Sequence, residues 1–160
     1  MAANQEAARL KAAAALAVAA KSAALATMHG GMPHASLVTP AWDAGGAPVL
    51  LLSALAAHTR HLRASPACAL LLAGQAQDEN PQTAPRLTLS GFAAKMDAPG
   101  KARERYLKAH PYAAAYAGFA DFAFWKVTIA AAQYVGGFGN AGILDVAALQ
   151  HEICTLLHDS

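Results

Sequence analysis

The chain has 160 residues and a formal net charge of +2; 14% of its residues are charged and 56% hydrophobic. That length suits one domain with a buried core, and so small a charge argues against partners such as nucleic acid or an anionic membrane surface. Alanine is more than a quarter of the sequence, and no run is long and apolar enough to span a bilayer.

The alanine-rich start predicts a helix over residues 4–28, with Leu10, Leu16, Val18 and Leu25 contributing a modest apolar face. Glu6 upstream and Lys21 closing the run argue against a signal peptide, so the expected location is cytoplasmic. Gly30-Gly31-Met32-Pro33 ends that helix. His34 to Trp42 reads as a first strand, Asp43 to Pro48 as a turn, and Val49 to Ser53 as a buried strand, together a hairpin. His58 to Pro66, HTRHLRASP, reads as a short polar helix stopped by its proline. Residues 67–73 form a third strand and residues 74–85 a polar loop. Arg86 to Phe92 alternates, with Leu87 and Leu89 on one face and Arg86, Thr88 and Ser90 on the other. A solvated helix follows over residues 99–109, a second over 111–118, and a long strand from Phe122 to residue 132 that Gln133 to Gly139 extends or follows. Asp145 caps a closing helix over 145–158. Tight turns rather than βαβ crossovers argue for an antiparallel barrel with peripheral helices, as one domain over residues 1–160 with its barrel core at about 32–140. Cys68 and Cys154 lie far apart without ligand spacing and read as reduced thiols, with a disulfide left open.

Three segments carry candidate chemistry. In HTRHLRASP, Thr59 can cap a helix that starts at Arg60, whose free N–H groups, hydroxyl and guanidinium would suit a phosphate. The alternative is a cap with solvated arginines. His58 and His61 at i, i+3 can share a face, but two histidines fall short of the three or four ligands of a zinc site, so no metal is expected. The polar face of Arg86, Thr88 and Ser90 can line a cleft or simply meet water. In Gln133 to Ala141 the glycines permit tight backbone. Tyr134 and Phe138 can lie on a flat ligand, pack across a dimer interface, or staple a turn. No nucleophile elbow, HExxH or phosphate-loop motif is present.

Three segments in order, PHASLVTPAWD (residues 33–43), PVLLLSALAAHTRHL (residues 48–62) and PRLTLSG (residues 85–91), resemble the FMN-binding split-barrel family, the superfamily of pyridoxamine 5′-phosphate oxidase. Tyr106, His110-Pro111, Tyr116, Phe119, Asp121-Phe122 and Gly136 to Gly139 resemble its haem-utilisation branch. The likeness covers roughly residues 28–142. It implies a six-stranded antiparallel split β-barrel, working as a homodimer with FMN in a cleft between subunits. By this resemblance Ser36, Leu37, Val38 and Thr39 run along the flavin, and Ser53 lies near its phosphate and ring. His58, Thr59 and Arg60 bind the phosphate, and Arg86 and Thr88 reach the flavin. Gln133 and Phe138 come from the partner subunit. His61 stands where the family usually has asparagine, which changes the hydrogen bonds available there.

The basic C-terminal segment of the pyridoxamine phosphate oxidases is not found after Ala141, so that reaction is not expected. Haem-utilisation relatives often carry a further C-terminal domain, and this chain ends at Ser160, so the resemblance leans to an FMN-dependent oxidoreductase taking a small-molecule substrate or electron donor. No catalytic acid or base is assigned. The alternative is haem binding or haem degradation in the same cleft, which needs an axial histidine from His58, His61, His151 or His158. A third reading is a cofactor-free dimer with another ligand.

Overall fold

The computed structural model describes residues 2–158. Helix α1 (Ala2–Ala19) leads into strands β1 (Ala23–His29), β2 (Met32–Val38), β3 (Pro40–Trp42) and β4 (Pro48–Ser53). Helix α2 (Ala57–Ala64), β5 (Ala67–Ala73) and β6 (Arg86–Lys95) follow, then α3 (Gly100–Ala109), β7 (Phe122–Val135), β8 (Ala141–Leu144) and α4 (Val146–His158). All strand pairs are antiparallel, in the order β2-β1-β5-β6-β7-β4-β3, and β8 also pairs with β7. β7 explains how the sheet curls and splits. Its first half pairs with β4 and its second half with β8, while β6 follows its other edge almost throughout.

The mainly β architecture with peripheral helices agrees with the expectation, with eight strands in place of six. The largest departure is the first helix, which stops at Ala19 rather than residue 28. Ala23, Leu25 and Thr27 are buried and alternate with exposed residues, a strand's period of two. β1 lies inside the sheet between β2 and β5, and that pairing overrides alanine's preference for helix. Gly30 and Gly31 both take positive φ, 55° and 77°. They are the two central residues of a β1–β2 hairpin turn rather than a helix cap, with His29 opposite Met32. The predicted strand from His34 to Trp42 is two strands broken at Thr39, where the chain leaves β1 and turns to pair with β4. Only a 3-10 turn, Pro111–Ala115, forms where a helix over 111–118 is expected. β5, β6, α3 and α4 form close to their predicted positions, with Asp145 capping α4 through Oδ1, which accepts from Ala148 N at 2.8 Å.

The inward residues of the strands, among them Leu25, Leu50, Leu70, Leu87, Leu89 and Val127, are fully buried against α1 and α4. α1 offers Ala13, Ala14 and Ala17, so its backbone comes close to the sheet, and the Trp42 indole donates to Ala17 O at 3.0 Å. A smaller cluster of Val49, Tyr106 and Phe124 packs under α3. β7 is therefore covered on both faces at Phe124 and Trp125, which is why both are buried. Asp43 closes the β3–β4 turn. Its Oδ1 accepts from Gly45 N and Ala47 N, and Lys126 pairs with Oδ2 at 2.6 Å. Burial alone would raise its pKa, but Lys126 and the two N–H groups together outweigh burial and hold it below the ordinary value.

β6 carries an irregularity between Ser90 and Gly91. A Cβ at Gly91 would overlap the carbonyl group of Thr128 on β7, which is backbone and cannot swing aside. Gly91→Ala is expected to cost about 1–3 kcal/mol, the usual range for overpacking. At roughly 2–4 °C per kcal/mol for a chain of this size, a drop in Tm should be plain by calorimetry. An unchanged Tm would show that the strands can part there.

Candidate cleft on the outer face of the sheet

Cross-strand pairing places several of the expected site residues in one row. Leu37 pairs with Ala24, Ala24 with Leu71, Leu71 with Thr88, Thr88 with Gln133, and Gln133 with Ile143. Paired residues share a face, so the row crosses six strands on the outer side of the sheet. The next row, Ala35, Ala26, Ala69, Ser90 and Ala131, is equally free of charge. Leu37 is 78% exposed and Ile143 is 83% exposed.

A cavity lies at each end of this row. At the Leu37 end, about 260 Å³ is lined by Leu37, Val38, Thr39, Ser53, His58 and Phe122 among others. At the other end, about 190 Å³ is lined by Thr88, Ser90, Gln133 and Ile143 with two alanines. Both fall short of the ~300–1,000 Å³ of a complete ligand site.

The polar groups of the first cavity are held in place. Ser36 Oγ lies 3.1 Å from His58 Nδ1, which leaves Nε2 without a partner among the described residues. Burial first, then the neighbouring His34 and His61, lowers the His58 pKa from its ordinary value. The Ser53 hydroxyl donates to Asp121 Oδ2 at 2.8 Å and accepts from Leu55 N. The Thr39 hydroxyl lies 2.7 Å from Tyr106 OH, which also bonds Thr39 O at 3.0 Å. Burial first raises Tyr106 to about 12, with the Thr39 hydrogen bond opposing, so the phenol stays protonated.

The segment expected to hold a phosphate lies on α2. α2 begins at Ala57 with Ala56 as its cap, so Thr59 lies inside the first turn rather than capping it. Thr59 is 1% exposed and its hydroxyl has no partner among the described residues. Arg60 is exposed, and its guanidinium donates to Leu55 O at 2.6 Å. Arg86 binds the carbonyls of Gln82 and Ala84, which ties down the preceding loop. Phe138 is 79% exposed beyond the end of β7.

The helix does bring its histidines to the β1–β2 hairpin. His61 Nδ1 lies 2.9 Å from Thr27 Oγ1, and its ring stacks on His29 at 5.0 Å and meets His34 edge-on at 5.1 Å. His29 and His34 were not singled out from the sequence. The Gly-Gly hairpin signal between them was the available clue. No three His, Cys, Asp or Glu side chains among the described residues are arranged to hold a metal ion. His151 and His158 are exposed on α4. Cys68 and Cys154 are free thiols, and burial raises Cys68 to about 11 against an opposing N–H bond from Ala93.

Partial desolvation first, then His29, His34 and Arg60, lowers the His61 pKa, as His58 is lowered. The unfolded chain binds protons near pH 6.5 that the fold resists, so stability is lost as pH falls through that value. The Tm of the protein is expected to decline between about pH 7.5 and about pH 5.5. His61→Asn removes one of these imidazoles, so the decline should be shallower in that variant. Parallel melting curves would show instead that the cluster does not resist protonation.

The profile of the family described as CREG, β-barrel matches residues 4–150. The chain is 39% identical over 113 residues to the non-canonical haem oxygenase HOZ, a chloroplastic protein of Arabidopsis thaliana. That match takes in 69% of this chain and 34% of the plant protein, so the chain spans about a third of that relative's length. A haem-binding protein from Mycobacterium smegmatis superposes with a TM-score of 0.82 at 30% identity, over 89% of this chain and 60% of that one. A Listeria innocua protein, provisionally a pyridoxamine 5′-phosphate oxidase, shares the fold, with a TM-score of 0.59 at 17% identity over 77% of this chain and 94% of its own. No helix among the described residues is long and apolar enough to cross a membrane.

Proposed function

The chain belongs to the CREG β-barrel family, and from that premise we propose that it binds haem, for storage or oxidative breakdown, in a cleft that a second copy completes. His58 carries the reading. It is an imidazole whose pKa is lowered by burial, on the wall of a largely apolar cavity. With Nδ1–H donating to Ser36, its Nε2 is free to ligate iron, the arrangement by which protein imidazoles are oriented towards metals. Leu37, Val38, Leu52 and Phe122 give a flat ligand its apolar contact. Arg60, exposed on the same helix as His58, offers a charge to a carboxylate. Bound there, haem would supply an iron centre able to take up dioxygen. The names of the plant and mycobacterial relatives support this reading.

The outer face itself supports a second copy. Two half-cavities at opposite ends of one uncharged row come together when a two-fold axis passes through the middle of that row. Each copy's Leu37 end then faces the partner's Gln133 end.

The test is a titration of the purified protein with haemin and, separately, with FMN. A Soret band that saturates at a fixed ratio to protein is the expected result. Quenching of FMN fluorescence with no Soret band would overturn the haem reading in favour of a flavoprotein.

A further inference from the structure

A third cavity, of about 210 Å³, shares no lining residue with the cleft. Its apolar walls include Trp42 of β3 and Leu157 of α4, and its charged groups are Lys21, Arg105 and Lys108. Lys21 follows the end of α1, and Arg105 and Lys108 lie three residues apart on α3, on one face of that helix. Among the described residues the one ion pair is Lys126 with Asp43, so none of these three cations has a carboxylate within 4.0 Å.

The remaining polar groups of the cavity are already engaged. The His110 ring is buried, with Nε2 at 2.8 Å from Pro40 O and Nδ1 at 3.2 Å from Tyr112 OH. Since a carbonyl only accepts, Nε2 carries a proton and donates to Pro40 O. The Trp42 N–H is taken by Ala17 O. Among the described residues, the cavity therefore presents apolar surface and positive charge with no carboxylate partner. Three like charges around a low-dielectric recess repel one another and attract an anion.

We propose that this cavity binds a small organic carboxylate, with its apolar body against Trp42 and Leu157 and its head group among Lys21, Arg105 and Lys108. The planar guanidinium of Arg105 matches a carboxylate in two hydrogen bonds. The volume lies below that of pockets for drug-sized ligands, which favours short aliphatic or single-ring acids.

Octanoate, octanol and inorganic phosphate are the probes, followed by calorimetry and by the fluorescence of the intact protein, in which Trp42 reports directly. Octanoate should bind saturably and perturb the fluorescence, with octanol and phosphate each at least about tenfold weaker. Arg105→Gln combined with Lys108→Gln should weaken octanoate about tenfold or more and leave octanol unchanged. Neither side chain is buried, so the variant should keep its fold, which its melting curve checks. Equal binding of octanoate and octanol would overturn the role of the charges. Phosphate binding as tightly as octanoate would overturn the role of the apolar walls. No binding of octanoate would overturn the site.

Discussion

His58→Ala is expected to abolish saturable haemin binding, or to leave a weak, broad Soret band in place of a sharp one. Of the four histidines open to an axial role from the sequence, His58 alone lines the cleft cavity. His61 uses Nδ1 on Thr27 and packs between His29 and His34, while His151 and His158 lie exposed on α4. Ser36→Ala keeps the ligand but frees its ring to rotate, and losing such an outer partner weakens metal affinity by about 10–100-fold. The expected order of affinity is thus wild type, then Ser36→Ala, then His58→Ala. His61→Asn restores the residue usual in the resembled family and should bind haemin like the wild type. Full binding by His58→Ala, with loss in His61→Asn, would move the iron to the hairpin cluster. A normal melting curve for each variant separates lost ligation from lost fold.

How much of this could be read beforehand depends on where each residue's signal comes from. Local patterns gave β5, β6, α3 and α4, because alternation or a cap is written within a few residues. The split-barrel resemblance picked out Leu37, Thr39, Ser53 and His58, which do meet at one cavity. It also picked out Thr88 and Gln133, which meet at another. β1 was hidden because alanine reads as helix, while its pairing with β2 and β5 is a long-range effect. Missing β1 also turned the Gly30-Gly31 hairpin into a helix cap and left His29 and His34 unconnected to His61. Thr59 failed as a cap for a different reason. The helix starts three residues earlier than expected, at Ala57 rather than Arg60, and no side chain marks that start. Asp121, which holds the Ser53 hydroxyl across 68 residues, and the Arg86 contacts to its own loop are tertiary facts with no local signature.

Leu71→Asp is expected to convert a dimer into a monomer and to lose haem binding with it. Leu71 sits mid-row on the outer face, between Ala24 and Thr88, and is 42% exposed in a single copy. The outer face of β2, β1, β5, β6 and β7, at about 4.8 Å between strands and about 3.3 Å per residue, amounts to roughly 500 Å². That is most of the ~800 Å² per partner in a standard interface, and Ile143 on β8 extends it. Such a patch is at the upper end of what a monomer leaves open to water. A carboxylate at its centre meets its own symmetry mate near the two-fold axis, so each interface gains two like charges out of water. The fold of one copy is untouched, because Leu71 points away from the core that Leu70 and Leu72 fill. Light scattering should then give half the wild-type mass at an unchanged circular dichroism spectrum. Haemin binding should fall as well, since the Leu37 and Gln133 half-cavities no longer meet. A monomeric variant that still binds haemin like the wild type would place the whole site within one chain. A wild-type protein that is monomeric at every concentration would leave the uncharged row without a second copy to cover it.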